Sequence, residues 1–282
     1  MNLRTFAEAD EFLRHVGPTL LASEAENALI LGVALRLQDG HMFGDEPPFL
    51  ACVGSDDEVA TIVARTPPHN LLIREEQEND NAFELVAARL HGGGIKLPGV
   101  HGVRPTAVRF ANVWEEMAGV RSEVAMEQRL HKLTEVIAPS GVAGRVRLAD
   151  PDDRDLLVPW VRSFVDEAVG GAPHPDPVGL VERLIRASTL AVWDDDGAVS
   201  MAAVSRPTPN GISVSLVYTP PERRGNGYAS ACVAALSRRQ LDAGKRFCTL
   251  FADLANRTSN ALYQRVGYRP IADFVEIRFR EE

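Results

Sequence analysis

The hydrophobic and polar positions of the chain spell one motif twice. Leu50-Ala51-Cys52-Val53, an acidic turn and Val59-Ala60-Thr61-Ile62-Val63-Ala64 are matched by Leu190-Ala191-Val192-Trp193, an acidic turn and Val199-Ser200-Met201-Ala202-Ala203-Val204. The offset is 140 residues throughout, from Leu50 to Leu190 and from Ala64 to Val204. Each block predicts a hairpin: two short apolar strands around an Asp-rich turn. Each runs on into a Pro-rich turn containing Asn, at Arg65-Thr66-Pro67-Pro68-His69-Asn70 and at Arg206-Pro207-Thr208-Pro209-Asn210. The shared offset points to an internal duplication. Domains are expected at 1–138 and 145–282, with Ile137-Ala138-Pro139-Ser140-Gly141-Val142-Ala143-Gly144 as the linker.

Around the hairpins, apolar residues recur at helical spacing. This predicts helices over 6–15, 23–37 and 80–91, and two more over 105–118 and 122–132 before the linker. In the second half, Arg145 to Leu148 reads as a strand. Pro151 opens a helical stretch to about Ala168, and another helix covers 177–187. After the hairpin come the strand Ile212 to Val217, a helix over 226–243 and the strand Phe247 to Phe251. Last comes a helix opened by Asn256 and closed by Gly267-Tyr268. In the 226–243 helix, Ala229, Cys232, Val233 and Leu236 fall on one face, toward a sheet, while Arg238, Arg239 and Asp242 are solvated. Gly244 ends it as a left-handed cap. The fold class is α/β (α+β), with sheets flanked by helices.

The chemistry concentrates where the strand ending at Val217 meets the 226–243 helix: Tyr218-Thr219-Pro220-Pro221-Glu222-Arg223-Arg224-Gly225-Asn226-Gly227-Tyr228-Ala229-Ser230. The first turn of a helix leaves about four N–H groups without intrahelical partners, and the helix dipole adds roughly half a positive charge there. Anions settle at that end. Gly225 and Gly227 remove the Cβ atoms that would hold a phosphate off the backbone. The Walker loop is excluded, because one residue, not four, separates the glycines and no Lys follows. The dinucleotide fingerprint is excluded too: its last glycine is missing, and the motif lies late in the chain.

What remains is Arg-x-x-Gly-x-Ala, at Arg224, Gly227 and Ala229, followed by Asn256-Arg257-Thr258-Ser259-Asn260-Ala261-Leu262-Tyr263 and Gly267-Tyr268. These two segments, in this order, resemble the signature of the GCN5-related N-acetyltransferases (GNAT) over residues 145–282. The resemblance implies a fold of two mixed, mainly antiparallel GNAT-like sheets, the C-terminal one competent for the cofactor acetyl-coenzyme A. It implies that Val217, Tyr218 and Thr219 line pantetheine, with backbone groups of Val217 and Thr219 pairing with its amides. Arg224, Gly225, Asn226, Gly227, Tyr228, Ala229 and Ser230 take the pyrophosphate, and Arg223 adds charge near it. Asn256 caps its helix and contacts the cofactor together with Ser259. Tyr263 is implied as the proton donor to the leaving thiolate, and Tyr268 as a packing residue. The reaction implied is direct transfer of an acetyl group to an amine of a small or amino-acid-like acceptor. A non-catalytic acyl-coenzyme A sensor or partner-binding module is the alternative. Some family members carry a Glu on the strand before the turn. Here that strand reads Ile212-Ser213-Val214-Ser215-Leu216, so the base is left among Ser215 acting through a water, Glu167, Glu135, His131 and a water chain.

The first half lacks this equipment. After Leu71-Leu72-Ile73 comes Arg74-Glu75-Glu76-Gln77-Glu78-Asn79-Asp80, with four acids and no glycine. That run repels a pyrophosphate, so the first half is expected to be a degenerate GNAT-like domain that packs and shapes the substrate cleft.

Composition narrows the partners. The chain has 282 residues, 45% apolar and 24% charged, with a formal net charge of −9. The charge disfavours nucleic acid, whose phosphates need Lys and Arg, and suits a cationic amine. No apolar run reaches about 18 residues, so no membrane partner is expected. An acidic N-terminus (Glu8, Asp10, Glu11) and three scattered cysteines (Cys52, Cys232, Cys248) suggest a reduced, cytoplasmic protein. No Cys/His cluster suggests a metal. Monomer and homodimer are both open, because an internal duplication can mimic a dimer within one chain.

Overall fold

The computed structural model describes residues 1–55, 58–168 and 176–281. Asp56 and Asp57 of the first acidic turn lie outside the described residues. The element order occurs twice. The first run is β1 (Asn2–Phe6), α1 (Ala9–Ala22), α2 (Ala28–Gln38), β2 (Phe49–Gly54), β3 (Val59–Arg65), β4 (Leu71–Glu75), α3 (Asp80–Gly92), β5 (Gly99–Val103), α4 (Arg104–Ala118) and β6 (Val120–Leu133). The second is β7 (Arg145–Leu148), α5 (Arg154–Ala168), α6 (Pro177–Arg186), β8 (Leu190–Asp194), β9 (Ala198–Ser205), β10 (Gly211–Tyr218), α7 (Tyr228–Asp242), β11 (Phe247–Asp253), α8 (Arg257–Val266) and β12 (Arg269–Glu281).

The chain forms two compact units. Unit 1 holds Met1–Leu130 together with Ile271–Glu282, and unit 2 holds His131–Pro270. The divisions therefore fall inside β6 and β12, while the 137–144 stretch is irregular chain within unit 2. In unit 1 the strand order runs β1-β2-β3-β4-β5-β12-β6. β12 is antiparallel to β5, from Phe274 opposite Val103 to Arg278 opposite Gly99. In unit 2 the order from the end of β6 is β11-β10-β9-β8-β7.

Strand residues alternate between two apolar layers, as the pleat requires. In unit 1, Val63 of β3 joins a core with Phe83 and Val86 of α3 and Phe110 and Trp114 of α4. Its neighbours Ile62 and Ala64 join the opposite core, with Phe12 and Leu20 of α1 and Leu31 of α2. In unit 2, Ala202 and Val204 of β9 face Cys232, Val233 and Leu236 of α7. Met201 and Ala203 face Leu157, Trp160 and Val161 of α5 and Val181 of α6. Each fully buried aliphatic or aromatic side chain contributes about 1.5–3 kcal/mol by leaving water. All three cysteines are buried and free, and burial pushes their thiols up to about 11, 12 and 11.

Both expected hairpins form, with one difference. Cys52 lies opposite Ile62 in the first, whereas Val192 lies opposite Met201 in the second. The second turn is shorter by a residue, so the offset of 140 holds for the first strand of each hairpin and not for their pairing.

The segment 122–132, expected as a helix, is the middle of strand β6. Met126, Glu127, Gln128 and Arg129 are good helix formers, but such preferences amount to only tenths of a kcal/mol per residue. Gly119, in the left-handed region at φ 65°, ends α4 just before. The chain then lies beside β12, where Arg129 donates two bonds to Asp273 (2.7 and 2.8 Å) and Arg280 pairs with Glu123 at 2.5 Å. Ladder pairing with a neighbouring strand outweighs the local preference. β1, β5 and β12 carried no clear sequence signal.

Candidate functional site

The site is built on β10. This strand pairs in parallel with β11 only at its start, through Gly211–Phe247, Ile212–Cys248 and Ser213–Thr249. Beyond Ser213 the pairing with β11 stops, while β10 continues to Tyr218. On its other edge the register with β9 shifts between Ser215 and Tyr218. The bulge is made by Leu216, a non-glycine residue at φ 51°. Such a backbone costs on the order of 1–3 kcal/mol and persists only where the surroundings hold it. The surroundings do so here: Leu216 packs into the core with Trp160 and Tyr218, and Val217 into the opposite core with α7. Peptide groups between Ser215 and Val217 are thereby taken out of regular ladder pairing.

The end of β10 is fixed by a short chain of hydrogen bonds. Thr219 Oγ1 donates to Ser200 Oγ at 2.9 Å, and Ser200 Oγ donates to the Tyr218 carbonyl at 3.0 Å. The Tyr218 ring packs against Trp160. From there the chain makes a tight turn, with Arg223 N bonded to Pro220 O and Arg224 N to Pro221 O. Residues 221–227 are exposed. Gly225 and Gly227 stand at φ 85° and 81°, a region L side chains rarely adopt. A Cβ on Gly227 would also press to 3.0 Å from Val142. α7 begins at once, and its first backbone bond is Ala231 N to Gly227 O. The N-cap is Gly227, which brings no side-chain cap. The N–H groups of Tyr228, Ala229 and Ser230 precede the first intrahelical bond, which is the arrangement that receives anions. None of residues 223–230 is acidic.

Three side chains of the turn are engaged within unit 2. Arg224 donates through Nη2 to both oxygens of Glu167 (3.0 and 2.8 Å) and through Nε to the Thr219 carbonyl at 2.9 Å. Tyr228 donates its hydroxyl to Asp195 at 2.5 Å, and that bond holds its phenol above the usual pKa. Asn226 bridges back to the carbonyls of Arg223 and Arg224. Neither carboxylate partner was foreseen in this role. Both reach the turn from other elements, so only the three-dimensional arrangement shows them.

On α8, Asn256 caps the helix by accepting from Ser259 N at 3.0 Å. Tyr263 lies one turn further along, buried, and desolvation pushes its phenol up to about 12. Its ring stands 6.0 Å from that of Tyr268 and 6.3 Å from that of His131, at the unit 2 end of β6. Tyr268 is enclosed, bonded to Ser237 at 2.8 Å, and packs as expected. Of the four residues considered as bases, His131 is thus the one placed next to Tyr263. Glu167 is tied to Arg224, Glu135 is exposed, and Ser215 is bonded to Ser205.

Unit 1 has the same corner with different contents. β4 pairs evenly with β3 up to Glu75, without a register shift. β4 pairs in parallel with β5 over three residues, Leu71–Val100 to Ile73–Gly102, and stops there, as β10 does with β11. At the start of α3 the Glu75 carboxylate accepts from Asn79 N (3.1 Å), from Thr106 (3.2 Å) and from Arg109 (2.9 and 3.0 Å). Asn79 adds a side-chain cap.

Residues 194–277 match the family described as FR47-like protein. Among curated protein sequences none matches. Solved structures match along nearly the whole chain. A Drosophila protein is similar at 15% identity and a TM-score of 0.65, over 99% of this chain and 98% of its own. A GCN5-related N-acetyltransferase from Sphaerobacter thermophilus is similar at 18% and 0.61, over 98% and 95%. A tandem GNAT protein from the clavulanic acid biosynthesis pathway is similar at 14% and 0.59, over 99% and 98%. At these identities the likeness is one of fold. The fold is that of the GNAT acetyltransferases, as the Arg224-to-Ala229 and Asn256-to-Tyr268 motifs implied.

Proposed function

We propose that this chain, built on the GNAT fold, is an acetyl-coenzyme A-dependent N-acetyltransferase acting directly on the amine of a small or amino-acid-like acceptor. The observation that carries the reading is the course of β10. It bulges at Leu216, parts from β11 after Ser213, and delivers the chain into an exposed two-glycine turn at an uncapped helix start. That sequence of features suits a ligand with an amide-bearing arm and a diphosphate. Val217, Tyr218 and Thr219 would line the arm. Arg224 through Ser230 would take the diphosphate on backbone N–H groups, and Asn256 and Ser259 would flank the cleft from α8. When bound, such a cofactor supplies an acyl group activated as a thioester.

The chain's own task is then positioning, one polarising contact and proton management. A backbone N–H at Val217, released from the ladder, would polarise the thioester carbonyl. Tyr263, like any phenol, is protonated at neutral pH and would give its proton to the departing sulfur; burial pushes it up to about 12, which holds the proton more tightly until that charge develops. The His131 imidazole stands beside it, ring centroids 6.3 Å apart. The rival reading, a non-catalytic acyl-coenzyme A sensor, is favoured by one observation: β10 presents Ser213 and Ser215, each bonded to another hydroxyl, and no carboxylate base. Thiol release from acetyl-coenzyme A with a panel of amines separates them. Turnover with any acceptor supports the enzyme, whereas calorimetric binding with no turnover across the panel supports the sensor. We place the protein in the cytoplasm. Among the described residues no helix is long and apolar enough to cross a membrane.

A further inference from the structure

β11 carries a carboxylate that the function above does not use. It is Asp253, the last residue of the strand, and β9, β10 and β11 contain no other Asp or Glu. Its place follows from register and pleat. The parallel pairs Gly211–Phe247, Ile212–Cys248 and Ser213–Thr249 advance one residue at a time on each strand. Counting on in that register sets Asp253 level with Val217, across the opening where β10 and β11 part. Alternation along the strand gives its face. Cys248, Leu250 and Ala252 enter the core that α7 and Tyr263 share. Thr249 points the other way, where its hydroxyl meets that of Ser213 at 3.1 Å, and Phe251 and Asp253 follow it at two-residue steps. Tyr263 and Asp253 therefore belong to opposite faces of the sheet.

The end of β11 is fixed in place. The Asp253 carbonyl accepts from Asn256 N at 3.1 Å and from Asn260 Nδ2 at 2.7 Å, which ties the strand to the start of α8. The carboxylate closes a turn of its own, with Oδ1 accepting from Ala255 N at 2.8 Å. Among the described residues none bonds Oδ2, and no Lys or Arg pairs with the carboxylate. The residue is half-buried. An ionised carboxylate has about four acceptor sites, so this one keeps capacity for a donor from outside the chain.

We propose that Asp253 is the residue that holds the acceptor's amine and takes its proton, an inference that rests on the acetyltransferase reading above. The acceptor then approaches from the face of β10 that carries Ser213, opposite Tyr263. As the N–C bond forms and the C–S bond breaks, one amine proton passes to Asp253 Oδ2 and the Tyr263 proton passes to the sulfur. Exchange with water restores both groups. β10 needs no carboxylate of its own, because the base comes from the facing strand, level with the Val217 N–H that polarises the carbonyl.

The test is calorimetric titration of the full chain with acetyl-, butyryl- and malonyl-coenzyme A, without acceptor. A carboxylate beside the acyl group repels a second one. Malonyl-coenzyme A should bind at least about tenfold more weakly than butyryl-coenzyme A, a neutral chain of similar length, and Asp253→Asn should bring the two within about twofold. Asn keeps an Oδ1 acceptor for Ala255 N, so the turn survives the change. With an amine that the wild type acetylates, Asp253→Asn should lower kcat/KM about 100-fold or more. Equal affinity for the malonyl and butyryl thioesters in the wild type, or a gap that Asp253→Asn leaves unchanged, overturns the assignment while acetyl-coenzyme A binding upholds the cofactor reading. Unchanged turnover in the variant overturns it as well. Failure of all three thioesters to bind removes the cofactor reading itself, and this inference with it.

Discussion

The corner between β4 and α3 and the corner between β10 and α7 occupy equivalent places in the two element runs, yet they treat negative charge in opposite ways. In unit 1 the chain provides its own anion. Glu75 lies at the helix start, enclosed by a backbone N–H, a threonine hydroxyl and an arginine. In unit 2 the helix start is exposed, glycine-rich and free of acids. The strands differ to match. Both part from their parallel neighbour after three pairs, at Ile73 and Ser213, but β4 keeps register with β3 to Glu75, whereas β10 shifts register with β9 and bulges at Leu216. A helix start attracts negative charge in either case. Whether that charge comes from within or from a ligand decides whether the corner is a structural joint or a receptor.

The comparison breaks most readily at Gly227. Gly227→Val forces a β-branched residue into a left-handed backbone and against Val142. Affinity for acetyl-coenzyme A is expected to fall about 100-fold or more, while circular dichroism shows the fold retained. Unchanged affinity by calorimetry would mean that the diphosphate is not held at this turn. Next in size is Tyr263→Phe, for which kcat should drop about 100-fold with little change in cofactor affinity. Full activity in steady-state kinetics removes Tyr263 from the chemistry.

Two smaller effects sharpen the contrast. Glu75→Gln weakens the internal anion and leaves Arg109 with Asp80 as its remaining close charged partner, so urea unfolding should show a loss of about 1–3 kcal/mol. The stoichiometry of acetyl-coenzyme A should stay at one per chain, since neither the bulge nor the glycines are created. A second equivalent bound would show that charge alone separates the corners. Finally, Glu167→Gln releases Arg224 from its ion pair. Cofactor affinity should rise about two- to fivefold, in keeping with the modest strength of exposed pairs. A fall would show that Glu167 orients Arg224 rather than competing for it.

Much of unit 2 was legible in the residues, because its corner is written in amino acids with strong local meaning. Gly244 announces a left-handed cap, Asn256 a helix start and Gly267 a helix end, and each takes that conformation. The acidic run after β4 likewise announced a corner inhospitable to phosphate. What stayed hidden depends on distant partners. Leu216 is an ordinary strand residue by type, and it is held at a positive φ by its own packing in one core and that of Val217 in the opposite one. Glu167 and Asp195 meet the turn from other elements. β6 reads as a helix because its stabilising neighbour, β12, lies at the other end of the chain.

That neighbour has a consequence for how the molecule is made. Unit 1 takes in Ile271–Glu282 of β12, with Val103 opposite Phe274, about 170 residues away. During synthesis residues 1–130 must wait, with the β5 edge bare, until residues 271–282 have been made. A truncation before Ile271 would therefore injure the unit built from Met1–Leu130. A gene fragment cut at the apparent midpoint would encode a unit 1 with a strand missing.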